Sequence, residues 1–335
     1  MAGSRASPGC VASRVAGHHL GSPKTGGGPV VPQRTVGVAL SGTGPGPYGA
    51  RMDSARVLVV ADSHLSARTP EAHEHWDAVL ELVASDPPDL VVHAGDMSTD
   101  GALRAGDLAD ARARLDEVTV PLLALPGNHD VGDGAAWSDG AAEAVVTAAT
   151  IDRFRAAVGP DRFSTLVGTW RLLGLDAQLM GSGEAAEDEQ WGWLADEVSR
   201  VPSGAPVALV LHKPLVPPGG EVDTPRRYVP ITARQRLLDA VAHLDLRIVV
   251  SGHVHQALEH ERDGIRHVWA PSCWGVLPDR LQRAVGAKRV GAVALALHDD
   301  GRVDVRQVRL PGVGDTVIGE DVTSPYPDPA APLDA

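Results

Sequence analysis

Five short apolar runs punctuate the chain, at 57–61, 90–94, 122–126, 207–211 and 248–251, and polar residues able to hold a cation follow each of them at once. The runs are dominated by Val, Leu, Ile and Ala, the pattern of strands buried on both faces of a parallel sheet. The stretches between them have helical spacing or composition, at about 71–85, 103–118, 141–157, 187–199 and 231–243. Strands alternating with helices predict βα units. Residues 163–169 and 170–176 read as paired strands. Later, 258–262 and 265–270 flank Asp263-Gly264, and 290–298 and 303–309 flank Asp299-Asp300-Gly301, both hairpin signals. Parallel units followed by late hairpins predict an α/β protein, a four-layer αββα sandwich of two mixed sheets with the helices outside. No internal repeat is visible.

The segments that follow the runs are Asp62-Ser63-His64, Gly95-Asp96, Gly127-Asn128-His129-Asp130, His212 and Gly252-His253-Val254-His255. Parallel α/β sheets open their ligand crevice at the carboxyl ends of the strands, so these scattered residues should converge. His, Asp and Asn without Cys suit borderline-hard divalent metals rather than a structural zinc site. Asp62 and His64 are two apart, so both can face one cation. The Asp96 carboxylate has two oxygens and can bridge two. The expected division is Asp62, His64, Asp96 and His255 for one metal, and Asp96, Asn128, His212 and His253 for the other. Two metals about 3.5–4 Å apart clamp the attacking and leaving oxygens of a displacement at phosphorus and turn a bridging water into the nucleophile. His129 is left over as a donor to a phosphoryl or leaving oxygen, with Asp130 expected to hold its other nitrogen. Any one of these short segments could be an ordinary turn or core residue; the ordered set at strand ends is what carries the reading.

Charge narrows the partners. The net charge is −13, yet residues 1–51 carry five basic side chains and no acidic ones, leaving 25 of the 30 basic residues against all 43 acidic ones, or −18, in the remainder. A body so acidic repels a phosphate backbone, which argues against nucleic-acid binding. No apolar run approaches the length of a membrane span. Cys10 and Cys273 sit in unlike regions and give no disulfide framework, so a cytoplasmic setting is expected. Residues 1–52 are rich in Gly, Pro and Ser and read as a disordered tail, with Met52 as an alternative start. The catalytic domain is expected over 53–312, followed by a loose, Pro- and Asp-rich tail over 313–335.

Read together, these motifs resemble the calcineurin-like metallophosphoesterases, whose pattern is Asp-x-His, Gly-Asp, Gly-Asn-His-Asp/Glu, His, Gly-His-x-His. All elements occur in order from Asp62 to His255, and the resemblance covers roughly 56–310. It implies a two-sheet sandwich, a dimetal site at one edge and phosphoester hydrolysis. Purple acid phosphatases of this family carry an iron-binding Tyr three residues after the bridging Asp; Thr99 stands there instead. The subgroup most resembled is the class III cyclic-nucleotide phosphodiesterases, which implies a small phosphodiester substrate. Manganese and iron(II) are the metals first expected, with zinc and magnesium also compatible. The alternatives are a phosphomonoesterase, a nuclease, or a non-catalytic metal-binding module.

Other features read more plainly. Arg226-Arg227 lies shortly after His212 and is either a substrate-phosphate contact or a loop pair bound to Asp223 or Glu221. His93 reads as core. Trp269 and Trp274 read as large aromatics of the core or surface, with a base-stacking wall as the alternative. Cys273 has no activating neighbour in sequence and is not expected to be a nucleophile.

Overall fold

In a computed structural model of the protein, residues 54–135 and 144–326 are described; the tail expected over 1–52 lies outside them. In the first sheet, the parallel strands β1 (Ser54–Val60), β2 (Leu90–His93) and β3 (Leu122–Ala124) are extended antiparallel by β10 (Ala292–His298) and β11 (Val303–Val308), in the order β11-β10-β1-β2-β3. The second runs β4-β5-β6-β7-β9-β8, from β4 (Phe163–Val167), β5 (Trp170–Gly174), β6 (Pro206–Leu211), β7 (Asp245–Ser251), β8 (Leu258–Arg262) and β9 (Ile265–Trp269). Its four middle strands are parallel and its two edges antiparallel.

Alternation along β1 explains the layering. Val57 and Val59 point between the sheets and join Leu172, Val210 and Val250 of the second sheet. Leu58 and Val60 point the other way. They share a core with Trp76 of α1 (Pro70–Ser85), Leu108 of α2 (Ala105–Leu115) and Phe154 of α4 (Ala148–Ala157). On the far face, Val207, Leu209 and Leu211 pack with Trp191 and Leu194 of α5 (Ala185–Ser199) and Leu237 of α6 (Ile231–Val241). The result is the four-layer αββα sandwich. Each such burial contributes about 1.5–3 kcal/mol, so the packed strands hold the loops at their ends in place.

The structure departs from expectation at three places. The helix expected over 141–157 begins at Ala148, because Thr147 caps it, its Oγ1 accepting from the Thr150 N–H at 3.3 Å; residues 141–143 lie outside the described residues. The helix expected from 103 begins two residues later, after an extended Arg104. Finally, residues 313–326 are not loose. Val317 bridges Val276, Ile318 is buried and bridges Val322, and Thr316 Oγ1 lies 3.1 Å from His75 Nε2. Val313, Ile318 and Val322 are spaced too irregularly to signal a helix or strand, yet all three pack on the core that contains Trp76 and Trp274. Residues 327–335 lie outside the described residues. The Asp263-Gly264 turn has φ of 55° and 76°, both left-handed, which matches the tight hairpin expected there.

Candidate metal centre

All five polar segments meet at the rim shared by the two sheets. Asp62, Asp96 and Asn128 come from the ends of β1, β2 and β3; His212, His253 and His255 come from the ends of β6 and β7. Asn128 opens a single helical turn, α3 (Asn128–Val131). The two groups are stitched together across the rim. The His253 N–H donates to both Asp62 oxygens at 3.0 and 3.1 Å, and His212 Nδ1 donates to the Ala94 carbonyl at 2.8 Å.

The backbone is strained where it carries these side chains. Asp62, His64, Asp96, His253 and His255 have φ between 45° and 71°, a left-handed conformation costing about 1–3 kcal/mol for a residue with a side chain. Among the described residues, Asp263 in the tight hairpin is the one other non-glycine with positive φ. Strain at five positions within one rim turns their side chains onto a common point. Two glycines make room for that convergence. A Cβ at Gly127 would sit 2.2 Å from Asp96 Oδ1, and one at Gly95, whose φ is +98°, would sit 2.4 Å from His212 Nδ1.

Donor atoms fall into three overlapping groups, each within 4.8 Å: Asp62, His64 and His255; His64, Asp96 and His129; Asp96, His212 and His253. Asp96 belongs to two of them, as a bridging carboxylate should. Asn128 Oδ1 stands 3.2 Å from His212 Nε2 and adds a neutral oxygen on that side. The outer ring nitrogens define the tautomers. A carbonyl oxygen only accepts, so His212 Nδ1 carries hydrogen toward Ala94, His255 Nδ1 toward Gly275 at 2.6 Å, and His253 Nε2 toward Arg226 at 2.9 Å. His64 Nδ1 faces the Tyr326 hydroxyl at 2.7 Å, and that hydroxyl donates to the Thr99 carbonyl at 2.9 Å. It must therefore accept from His64 Nδ1–H. Both His64 and His255 then present an Nε2 lone pair inward, and these two atoms face each other at 3.2 Å. Two lone pairs so close repel unless a cation lies between them, so the residues fit a metal.

The electrostatics agree. Burial, His129 and other imidazoles hold His64 well below the usual histidine range, and burial pushes His255 down to about 4, so both are neutral Lewis bases at pH 7. Burial, His212 and Lys213 hold His253 low as well. Burial would also lower His212, but the Asp96 carboxylate 3.2 Å away outweighs it and lifts His212 to about 9. Burial raises Asp62 well above the carboxylate range, with Asp96 adding to it; Asp96 stays low despite its burial because His212 and His129 oppose it. Without a metal, the protonated His212 supplies the positive charge that two buried carboxylates demand.

Several expectations change. Asp130 does not hold the His129 ring. Its carboxylate accepts from the N–H groups of Gly127, Ser98 and Met97 and from Ser98 Oγ, at 2.6–3.2 Å. It lies fully buried beneath α3 and ties the second and third loops together. Burial and Asp96 push it up to about 6. His129 is instead placed by its own N–H, which donates to Asp96 Oδ1 at 2.8 Å, and its ring packs against His64 and Tyr326. Arg227 is buried with Nη1 3.7 Å from Glu221, the loop-pair alternative, while Asp223 pairs with Arg234. What Arg226 brings to the centre is its carbonyl, on His253. His93 is a core residue, its Nε2 2.8 Å from Ser63 Oγ. Trp269 and Trp274 are both fully buried in packed clusters. Cys273 is buried, and burial raises its thiol far above the usual range, so it is no nucleophile.

Sequence reasoning missed Ser272, whose Oγ donates to the Asp62 carbonyl at 2.7 Å, and the buried Lys213–Asp133 pair at 2.6 Å. It also missed Tyr326. Lys213 adjoins a site residue, which is a usable signal; a lone Tyr between two prolines is not.

Comparisons with known proteins agree with this geometry. The sequence pattern that defines the calcineurin-like phosphoesterases matches residues 55–257. The 3',5'-cyclic adenosine monophosphate phosphodiesterase CpdA of Pseudomonas aeruginosa is 29% identical over 279 residues, 77% of this chain and 92% of that protein. CpdA of Escherichia coli (strain K12) is 28% identical over 293 residues, 80% of this chain and 94% of its own. A dimetal phosphatase of known structure from Danio rerio, 14% identical, superimposes with a TM-score of 0.52 over 78% of this chain and 98% of that one, a likeness of fold. No helix among the described residues is long and apolar enough to cross a membrane. The ordered motifs, their convergence at one rim and the match over most of the sandwich have one explanation: this chain belongs to the calcineurin-like phosphoesterase family and is a metal-dependent phosphohydrolase.

Proposed function

We propose that the chain is a phosphodiesterase acting on a cyclic nucleotide or a similarly small diester. The observation that carries this reading is the similarity to CpdA, which spans 77% of this chain and 92% of that protein. Asp62, His64, Asp96 and His255 would hold one cation; Asp96, Asn128, His212 and His253 would hold the other. Manganese and iron(II) suit these ligands best, and zinc and magnesium fit the same donors. When bound, two such cations supply Lewis acidity toward phosphoryl oxygens and lower the pKa of water.

The chain's own residues do the rest. His129 stands at the mouth, half-buried, with its backbone pinned to Asp96. From there its imidazole delivers a proton to the departing alkoxide. Asp130 keeps the second and third loops in register beneath it. Arg226 adjoins the centre through its carbonyl and supports a substrate contact better than Arg227, whose guanidinium lies beside Glu221. The excess of acidic side chains repels a nucleic acid or an anionic membrane surface, so a small substrate, drawn in by the two cations when they are bound, is the better fit. Two cysteines in unlike regions suit a cytoplasmic setting.

The test is turnover by the purified protein with manganese on three substrates: bis-p-nitrophenyl phosphate, cyclic AMP and p-nitrophenyl phosphate. The expected result is faster turnover of the diester and of cyclic AMP than of the monoester. Monoester preference would move the chain to the phosphatase branch, and no turnover with two cations bound would refute all three substrates.

A further inference from the structure

Three of the four imidazoles proposed as cation ligands are fixed by backbone carbonyls. The fourth, His64, is fixed by a side chain 262 residues away, Tyr326. We propose that Tyr326 is a positioning residue of the centre: its hydroxyl holds His64 in the tautomer that turns the Nε2 lone pair inward, and its ring is the shelf on which His129 rests. The proposal rests on the reading that His64 ligates a cation and His129 donates a proton.

The hydroxyl is polarised in one direction. It donates to the Thr99 carbonyl at 2.9 Å and so accepts from His64 Nδ1 at 2.7 Å. Because Nδ1 and Nε2 lie on opposite sides of the imidazole, the phenol is a second partner to the ring and not itself a cation ligand in this geometry. Its ring centroid lies 4.5 Å from that of His129, tilted by 41°, while His129 meets His64 edge-on at 4.8 Å. Removing the ring therefore frees two imidazoles at once.

The segment that carries Tyr326 is anchored on the same side of the centre. The Val276 N–H donates to the Thr316 carbonyl at 2.8 Å, and the Ile318 N–H donates back to Val276 at 2.9 Å. Ile318 packs so closely on Gly275 that a Cβ there would come within 2.8 Å of it. The Gly275 carbonyl is the one that holds His255. Residues 316–318 thus brace the loop behind His255, and Tyr326 braces His64. Ser324 Oγ accepts from the Tyr326 N–H at 3.2 Å and sets the local turn.

The test uses Tyr326→Phe and Tyr326→Leu in the full chain. In the cation-free protein, two-bond proton–nitrogen NMR of the imidazoles, with His64 assigned by its loss in His64→Asn, should show hydrogen on Nδ1 alone in the wild type and a mixture in Tyr326→Phe. Manganese binding to the half that contains His64 should fall about tenfold in Tyr326→Phe, with kcat at saturating manganese within about twofold because the shelf remains. Tyr326→Leu should add a fall in kcat of about tenfold or more, as His129 loses its alignment. An unchanged tautomer and unchanged affinity in Tyr326→Phe would overturn the hydroxyl's role, and wild-type kcat in Tyr326→Leu would overturn the shelf. Circular dichroism confirms that each variant is folded, and Tyr326→Phe alone decides the hydroxyl's role if Tyr326→Leu is not. Should the wild type hydrolyse none of the three substrates, the phosphodiesterase reading fails while the NMR and affinity measurements still decide the first half of this one.

Discussion

The two halves of the centre are held by different means. In the half built on Asn128, His212 and His253, the outer nitrogens meet the carbonyls of Ala94 and Arg226. In the half built on Asp62, His64 and His255, one outer nitrogen meets the Gly275 carbonyl and the other a tyrosine hydroxyl. A backbone oxygen comes with the fold whatever side chain stands there, whereas a phenol depends on one residue of one segment. The halves also differ in charge. His212 shares its proton with a carboxylate and is lifted to about 9; His255, 3.6 Å from an Asp62 whose own ionisation is suppressed, is pushed down to about 4. One half therefore stores a proton that the other lacks on its imidazoles.

The comparison can be broken most directly at the residue both halves share. Asp96→Ala would remove the ligand proposed for both, along with the acceptor of the His129 N–H. Turnover should fall about 1,000-fold or more, with loss of bound metal. Elemental analysis that still found two cations per chain would show that Asp96 is no bridge.

His129→Ala should spare both halves. Turnover should fall by about 100-fold or more, the scale of a lost proton donor, while metal content stays near that of the wild type. Metal loss in this variant would make His129 a ligand, a role its place within 4.8 Å of His64 and Asp96 would allow.

The smallest effect separates the halves by pH. The folded, cation-free protein binds the His212 proton more tightly than an unfolded chain does, since about 9 exceeds the ordinary 6.5. That contribution to stability is full below pH 6.5 and is lost as pH rises to about 9. A cation entering this half must displace the same proton, so its affinity should rise with pH by up to about tenfold per unit. His64 and His255 are already neutral at pH 7, so the other half should respond less. Calorimetric manganese titrations at pH 6.5, 7.5 and 8.5 check this, and equal slopes for both halves would remove the distinction.

Much of this centre was legible without a structure, for a physical reason. Hydrophobic runs are local, and strands with both faces covered must be apolar, so 57–61, 90–94 and 207–211 declared themselves as strands of a parallel core. The residues just beyond them, from Asp62 to His255, then had one place to go, the rim where parallel strands end. The tight turn at Asp263-Gly264 was legible on the same grounds, because few residue pairs accept left-handed backbone. What only the tertiary structure decided are the pairings between distant side chains. Asp130 stands next to His129 in sequence, yet three donors from the loop after the second strand and one from Gly127 in its own loop claim its carboxylate. The left-handed conformations of five of the candidate ligands were not legible, since Asp and His accept that backbone more readily than most residues but usually occupy ordinary regions. Tyr326 lies in a Pro-rich stretch with no periodicity, and nothing within ten residues of it hints at His64. Secondary structure follows from short-range pattern, but a hydrogen bond across 262 residues exists only once the sandwich has brought His64 and Tyr326 to one rim.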